Sequence, residues 1–345
     1  MHQIVEQDVK NILPKINWEK LRDKSVLITG ANGLIGTYLI SVLYLASEKH
    51  RLNLNITGIS KSAPNSTIRE IIKRFSSFHF LQEDLVESFT FDGKVNYAIH
   101  AATYSPPAKF LENKFETIAL NTILTEKLLH LCRKNSAAML FISSSEVYGQ
   151  AEVMPTPETY NGNCQTTQAR SVYSESKRLG ETICSVFREE GVEVRIARIS
   201  ATYGPGITIH DERVLGNFLY KALGRNHIGL VDSGKQERTW LYISDCVAML
   251  LNVLLHGKHF VYNIGGNETV SILELARMIS KITGSKYSIP EHSEHSLMSA
   301  PETVKLDISR VIEEFKISEF VSLKEGLKRT IGWNKDLISK GALKF

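Results

Sequence analysis

Four cysteines in 345 residues (Cys132, Cys164, Cys184 and Cys246) form no Cys-x2-Cys pair and no short-spaced framework. So few, so widely scattered thiols fit a reducing compartment rather than a disulfide scaffold. No uninterrupted apolar run reaches membrane-spanning length, and residues 1–23 carry several charges and no signal-peptide core. No basic run is long enough for a nucleic-acid groove. Instead, 41 basic and 37 acidic residues are spread along the chain, for a net charge of +4. That mild balance also suits anionic small molecules. His/Cys ligand spacing is missing too: His292 and His295 form one isolated pair in a polar stretch, so no metal site is expected. What remains is an ordinary globular composition, 43% apolar and 23% charged, and a cytoplasmic chain long enough for two domains.

Short β-branched runs alternate with helical patterns. Val26-Leu27-Ile28, residues 55–59, 78–82, 97–100, 138–142 and 194–199 read as strands. Residues 37–46, 116–134 and 173–190 read as helices between or after them. The alternation predicts an α/β fold, a Rossmann-type doubly wound parallel sheet covered on both faces, with a smaller C-terminal substrate-binding lobe. We expect a nucleotide-binding domain over 24–200 with a returning segment near 238–265, and a lobe from 201–237 and 266–345. Within these, 213–223 and 241–255 look helical and 285–307 irregular. Val5, Val9, Ile12 and Leu13 have amphipathic spacing that Pro14 ends, so 1–23 reads as a helical extension.

Ligands of such sheets bind at the carboxyl ends of the strands, where Gly30, Asp84, Ala101 and Ser144 fall. Gly30, Asn32, Gly33, Leu34, Ile35 and Gly36 form Gly-x2-Gly-x2-Gly between a strand and a helix. The glycines allow a tight turn, a close approach of pyrophosphate and close helix–strand packing, and the helix start offers free N–H groups. The second strand ends in Ser60-Lys61-Ser62 rather than in the acid that holds the ribose of NAD, so the local chemistry leans to a 2′-phosphate and NADP. Asp84-Leu85 would flank the adenine.

Among twelve tyrosines only Tyr173 has a lysine four residues on, Lys177. Tyr173 is the candidate acid/base for a sugar hydroxyl. A free phenol titrates near pH 10, and Lys177 one helical turn along, with a nicotinamide ring, would favour the phenolate. Ser144 would hydrogen-bond the same reacting oxygen. Glu146, directly after Ser143-Ser144-Ser145, can move a proton at a neighbouring carbon. Arg213 and Arg238 could pair with a diphosphate.

Together these residues resemble the extended short-chain dehydrogenase/reductase family that modifies nucleotide sugars, and within it the UDP-glucuronate decarboxylases. The stretches that carry the resemblance are His100-Ala101-Ala102 with Ser105-Pro106-Pro107, Ser145-Glu146-Val147-Tyr148-Gly149, Arg170 ahead of Tyr173-x3-Lys177-Arg178, Arg213-Val214 with Asn217-Phe218, and Gln236-x-Arg238. The resemblance implies functional roles for Ser145, Glu146, Tyr173, Lys177 and Arg238, substrate contacts from Ser105, Arg213 and Asn217, and Ala101 and Ala102 beside the cofactor. It further implies tightly bound NAD, a nucleotide-diphosphate-sugar substrate, and a homodimer through the helices near 116–134 and 173–190. Ala201 stands where those decarboxylases carry Asn, and Gly206 where they carry Arg. Decarboxylation after C4 oxidation comes first, with 4,6-dehydration and then 4-epimerisation as alternatives. A non-catalytic dinucleotide sensor or scaffold is the reading from another class, and the retained Tyr/Lys pair speaks against it.

Overall fold

The structure, a computed structural model, describes residues 1–207, 209–291 and 303–345. His292 and His295 lie outside the described residues. Among the described residues, strands occur in the order β1 (Ser25–Thr29), β2 (Asn55–Ser60), β3 (Phe78–Gln82), β4 (Tyr97–His100), β5 (Ala138–Ser144), β6 (Val194–Ile199), β7 (Ala201–Tyr203), β8 (His227–Gly229), β9 (Glu237–Tyr242), β10 (Val261–Ile264), β11 (Glu268–Ser271), β12 (Lys286–Ser288) and β13 (Thr303–Val304). Seven form one sheet in the order β10-β6-β5-β4-β1-β2-β3, every pairing parallel. All seven residues of β5 are buried, as a strand covered on both faces requires. Order reverses between β1 and β4, so a crevice opens at their carboxyl ends.

Helix α1 (Gln3–Ile12) precedes the sheet and packs on α2 (Leu34–His50). Its Asp8, fully buried, accepts from Tyr38, Tyr242 and Arg329 at 3.0, 2.6 and 2.8 Å, which anchors the outer side of the glycine-loop helix. α3 (Ser66–Arg74) follows β2, and α4 (Pro107–Glu112), α5 (Lys114–Asn121) and α6 (Ile123–Asn135) lie between β4 and β5. The sequence predicts one helix over 116–134; the structure breaks it at Thr122, whose φ of −121° and ψ of −71° leave the helical region. The break lets the Asn121 carbonyl lie over Gly180 of α7 (Val172–Glu189), where an added Cβ would come within 2.5 Å of that oxygen.

Beyond β7 and α8 (Val214–Arg225), β9 pairs with β7, β11 and β13, while β8 pairs with β12. The predicted helix over 241–255 starts later: Leu241 and Tyr242 finish β9, and α9 (Ile243–His256) runs buried on nearly every side to deliver β10 to the main sheet. Residues 286–288 and 303–304 are short strands rather than irregular chain.

Candidate active site

The glycine loop is built as a cradle. Gly30 has φ +75°, and a Cβ there would lie 2.7 Å from the Ala101 carbonyl, so both conformation and space demand glycine. At Gly36 an added Cβ would sit 2.3 Å from the Gly30 oxygen. Gly33 caps α2 with no side-chain hydrogen bond, which leaves the first-turn N–H groups of Leu34, Ile35 and Gly36 facing the crevice for an anion. Asn32 braces the loop: its amide donates to the Ser62 and Ala63 carbonyls at 2.9 and 2.7 Å, and its Oδ1 accepts from the Asn65 N–H at 3.0 Å. This set of donors and missing side chains fits the pyrophosphate of a dinucleotide.

At the adenosine end Lys61 is already paired. Its Nζ lies 2.6 Å from Asp84 Oδ2, across the ends of β2 and β3. The ion pair raises the lysine pKa and lowers that of Asp84, whose neighbours Glu83 and Glu87 add acid to this rim. Ser60 is half-buried beside them, and Leu85 is buried in the core under the rim. The lean to a 2′-phosphate that Lys61 gave the sequence is thereby weakened, because its charge is neutralised locally.

The Tyr173 ring is 6% exposed and stacks on Phe110, centroids 5.1 Å apart and planes 12° from parallel. Burial pushes the phenol well above its ordinary pKa and the Glu146 carboxylate adds to this, while the Ser144 hydroxyl, Arg213 and Arg170 pull it back. Lys177 is 1% exposed and donates to the Ile142 carbonyl at 2.7 Å, its ammonium 4.7 Å from the Phe141 ring centroid. Burial depresses its pKa to about 7. Lys177 is thus pinned beneath the site, and the groups aiding the phenolate in the structure are Ser144 and two arginines.

β5 ends at Ser144, whose hydroxyl accepts from the Glu146 N–H at 3.2 Å and starts a short turn over Ser145–Tyr148. Ser143 points the other way, to Glu181, at 2.6 Å. The turn brings Glu146 against Arg170, Nη1 to Oε2 2.8 Å. Ser145, Glu146 and Arg170 line a cavity of about 560 Å³ whose far wall includes Thr303, Val304 and Leu306. Arg213 holds Asp211 by two nitrogens, at 3.0 and 2.5 Å, and lies near enough to Tyr173 to act on its titration. Arg238 sits on β9, donates to the Glu237 carbonyl at 2.7 Å and feels the Glu146 charge. Asn217 lies one turn after Arg213 on α8. Ser105 is exposed in the loop before α4.

Three groups here were given no role by the sequence. Thr103 Oγ1, just past Ala101 and the buried Ala102, is buried with no partner, as a hydroxyl awaiting a ligand would be. Asn121 donates to Ser176 at 2.9 Å, and its own Oδ1 is buried without a partner. Arg170 entered only as part of a motif. An asparagine inside a predicted helix and an arginine just ahead of Tyr173 were the available signals.

Residues 26–265 match the NAD dependent epimerase/dehydratase family. The chain belongs to that family. It is 32% identical over 332 residues to UDP-glucuronic acid decarboxylase 1 of Xenopus tropicalis, covering 95% of this chain and 76% of that protein. To UDP-glucuronic acid decarboxylase 3 of Arabidopsis thaliana it is 32% identical over 306 residues, covering 88% and 86%. Among solved structures, dTDP-glucose 4,6-dehydratase of Streptomyces venezuelae with NAD bound superposes with a TM-score of 0.79 at 21% identity, over 93% of this chain and 99% of that one. UDP-glucuronic acid 4-epimerase of Bacillus cereus, with UDP-glucuronic acid and NAD, gives 0.75 at 23%, over 91% and 99%. At these identities the superpositions establish the fold. Among the described residues no helix is long and apolar enough to cross a membrane and no cluster could hold a metal ion.

Proposed function

We propose that this enzyme transiently oxidises C4 of a nucleotide-diphosphate sugar and then removes carbon dioxide from C5, as a UDP-glucuronate decarboxylase does. NAD bound in the crevice would supply the hydride chemistry of this oxidation and of the closing reduction. The first-turn N–H groups of α2 hold its pyrophosphate. Neutralisation of Lys61 by Asp84, amid Glu83 and Glu87, favours NAD over NADP.

Tyr173 takes the C4 hydroxyl proton, and Ser144 donates to the same oxygen. With C4 a ketone, a C5 carboxylate is a β-keto acid. The C5–carboxylate bond breaks, its electron pair moves toward the C4 oxygen, and carbon dioxide leaves. Glu146 then governs protonation at C5, and Tyr173 returns its proton as the ketone is reduced. Arg213 and Arg238 receive the diphosphate.

The observation that carries this reading is Glu146 on the serine turn, held within the same cluster as Tyr173, in a chain 31–32% identical to several UDP-glucuronic acid decarboxylases. The deciding experiment incubates the protein with a panel of nucleotide sugars and weighs the products. Loss of about 44 mass units supports decarboxylation, about 18 supports the dehydratase alternative, and no change with inversion supports an epimerase. Glu146→Gln should still oxidise C4 and then stall, accumulating reduced cofactor. Turnover at the parent rate would remove Glu146 from the chemistry.

A homodimer through α5, α6 and α7 is also proposed. On these helices Leu120, Leu124, Leu128 and Phe187 are core. The exposed face is instead Phe115, Ile118 and Ile123, with Leu179 and Val186 on α7. Five such side chains on neighbouring helices support an interface. We place the protein in the cytoplasm, where four free thiols are stable.

A further inference from the structure

Arg170 touches both halves of the chemistry. It lies in the short turn Ala169–Ser171 immediately before α7. Its Nη1 meets Glu146 Oε2 at 2.8 Å, and its Cζ lies 5.3 Å from the centroid of the Phe110 ring. The same Phe110, fully buried, carries the Tyr173 ring 5.1 Å away and nearly parallel. Carboxylate, guanidinium, phenyl and phenol therefore form one continuous stack of contacts. Phe110 comes from α4, Glu146 from the turn after β5, and Arg170 and Tyr173 from the start of α7. No single element sets the separation of Glu146 from Tyr173.

A guanidinium suits this position. Its plane rests on an aromatic face while its edge donates to a carboxylate, so one rigid group makes both contacts. A lysine would give a point charge with neither constraint. Both partners are only partly exposed, Arg170 at 26% and Glu146 at 34%, and both line the cavity with Ser145.

We infer that Arg170 is a positioning residue that clamps Glu146 at a fixed distance from Tyr173, keeping proton handling at C5 in register with proton and hydride transfer at C4. This rests on the reading of Glu146 proposed above. A carboxylate free to turn into the cavity would miss C5, while Tyr173, still buried and stacked, would keep oxidising C4. Displacement of about 1 Å in a reacting group is enough to cost roughly 100-fold.

The test compares the parent with Arg170→Met, which keeps bulk on Phe110, and Arg170→Lys, which keeps charge, in single-turnover absorbance of the reduced cofactor. The first phase should slow in Arg170→Met only by the loss of a charge that aids the Tyr173 phenolate, far less than the return phase, and should hold within a few-fold in Arg170→Lys. The return phase should slow by roughly 100-fold in Arg170→Met, with partial recovery on adding guanidinium ion. Equal slowing of both phases without rescue, or an unchanged return phase, overturns the inference. If Arg170→Met folds poorly, Arg170→Lys decides: parent-like return kinetics in it would show that charge alone suffices and the stacked clamp is wrong. A readout free of turnover separates this inference from the functional one. Cys164 Sγ rests against the Glu146 and Val147 carbonyls at 3.6 and 3.5 Å, in the same cavity. Loosening of the Ser145–Tyr148 turn in Arg170→Met should speed maleimide labelling of Cys164 about tenfold. Should the parent act on no nucleotide sugar, the functional reading fails by itself, and unchanged labelling would sink the clamp independently.

Discussion

The two sides of the crevice are specified by different means. On the cofactor side, backbone does the work: Gly30 at φ +75°, the uncapped first turn of α2, and the carbonyl of Ile142 holding Lys177. On the side proposed for the substrate, long side chains from distant segments do it: Arg213 with Asp211, Arg238 on β9, and the cavity wall at Thr303, Val304 and Leu306. Backbone sites tolerate little substitution and bind a constant ligand; side-chain sites can be rewritten without disturbing the sheet. Ala201 lies on β7, paired with β9. Gly206 has φ +112°, and a Cβ there would reach within 2.9 Å of Leu34, so this loop closes over the glycine helix instead of carrying a long side chain.

The comparison breaks most visibly at Tyr173. Tyr173→Phe removes one oxygen and keeps the stack on Phe110, so turnover should fall about 1,000-fold while nucleotide-sugar affinity, measured by calorimetry, stays within a few-fold. A matching loss of affinity would mean that the tyrosine belongs to the substrate side. Arg238→Met probes the other wall. KM should rise about tenfold to 100-fold, with a much smaller change in kcat, in steady-state assays. A kcat effect as large as the KM effect would bring Arg238 into the chemistry beside Glu146.

Stability against pH sharpens the contrast next. His100, fully buried between Thr29 Oγ1 at 2.8 Å and the Leu120 carbonyl at 2.9 Å, has its pKa pushed down to about 3, chiefly by burial and then by Lys177. The unfolded chain takes up this proton near pH 6.5 and the folded chain does not, so folding stability falls as pH drops from about 6.5 toward 3. Chemical denaturation across that window should show a slope near 1.4 kcal/mol per pH unit from this group, diminished in His100→Asn. An identical slope in the variant would assign the effect elsewhere. The smallest effect belongs to Asp84. Asp84→Asn frees Lys61, and NADPH affinity relative to NADH should rise a few-fold in a direct binding titration at low salt. An unchanged ratio would mean that the ion pair does not select the cofactor.

Local rules carried much of this chain. The glycine loop, the order of strands and helices, and Tyr173 with Lys177 follow from periods of two and 3.6 residues and from short-range spacing, because backbone geometry repeats within a turn or a strand. The errors fall where distant contacts override local preference. Residues 116–134 look like one helix, yet Thr122 breaks it so that Asn121 can sit over Gly180. Leu241 and Tyr242 look helical, yet β7 recruits that stretch as strand. The helices proposed for an interface were legible as helices, but which of their side chains face outward was not, since burial depends on what packs against them.

By itself, then, the amino-acid sequence determined a parallel Rossmann-type sheet, its glycine turn and the Tyr173/Lys177 spacing on one helix. Only tertiary structure decided that Lys61 is neutralised by Asp84, that Arg213 is gripped by Asp211, and that Arg170 joins Glu146 to the ring supporting Tyr173. The physical reason is range. A turn or a helix is closed by hydrogen bonds a few residues apart, whereas the charge and reach of a side chain are set by neighbours that only the folded chain brings within a few ångströms.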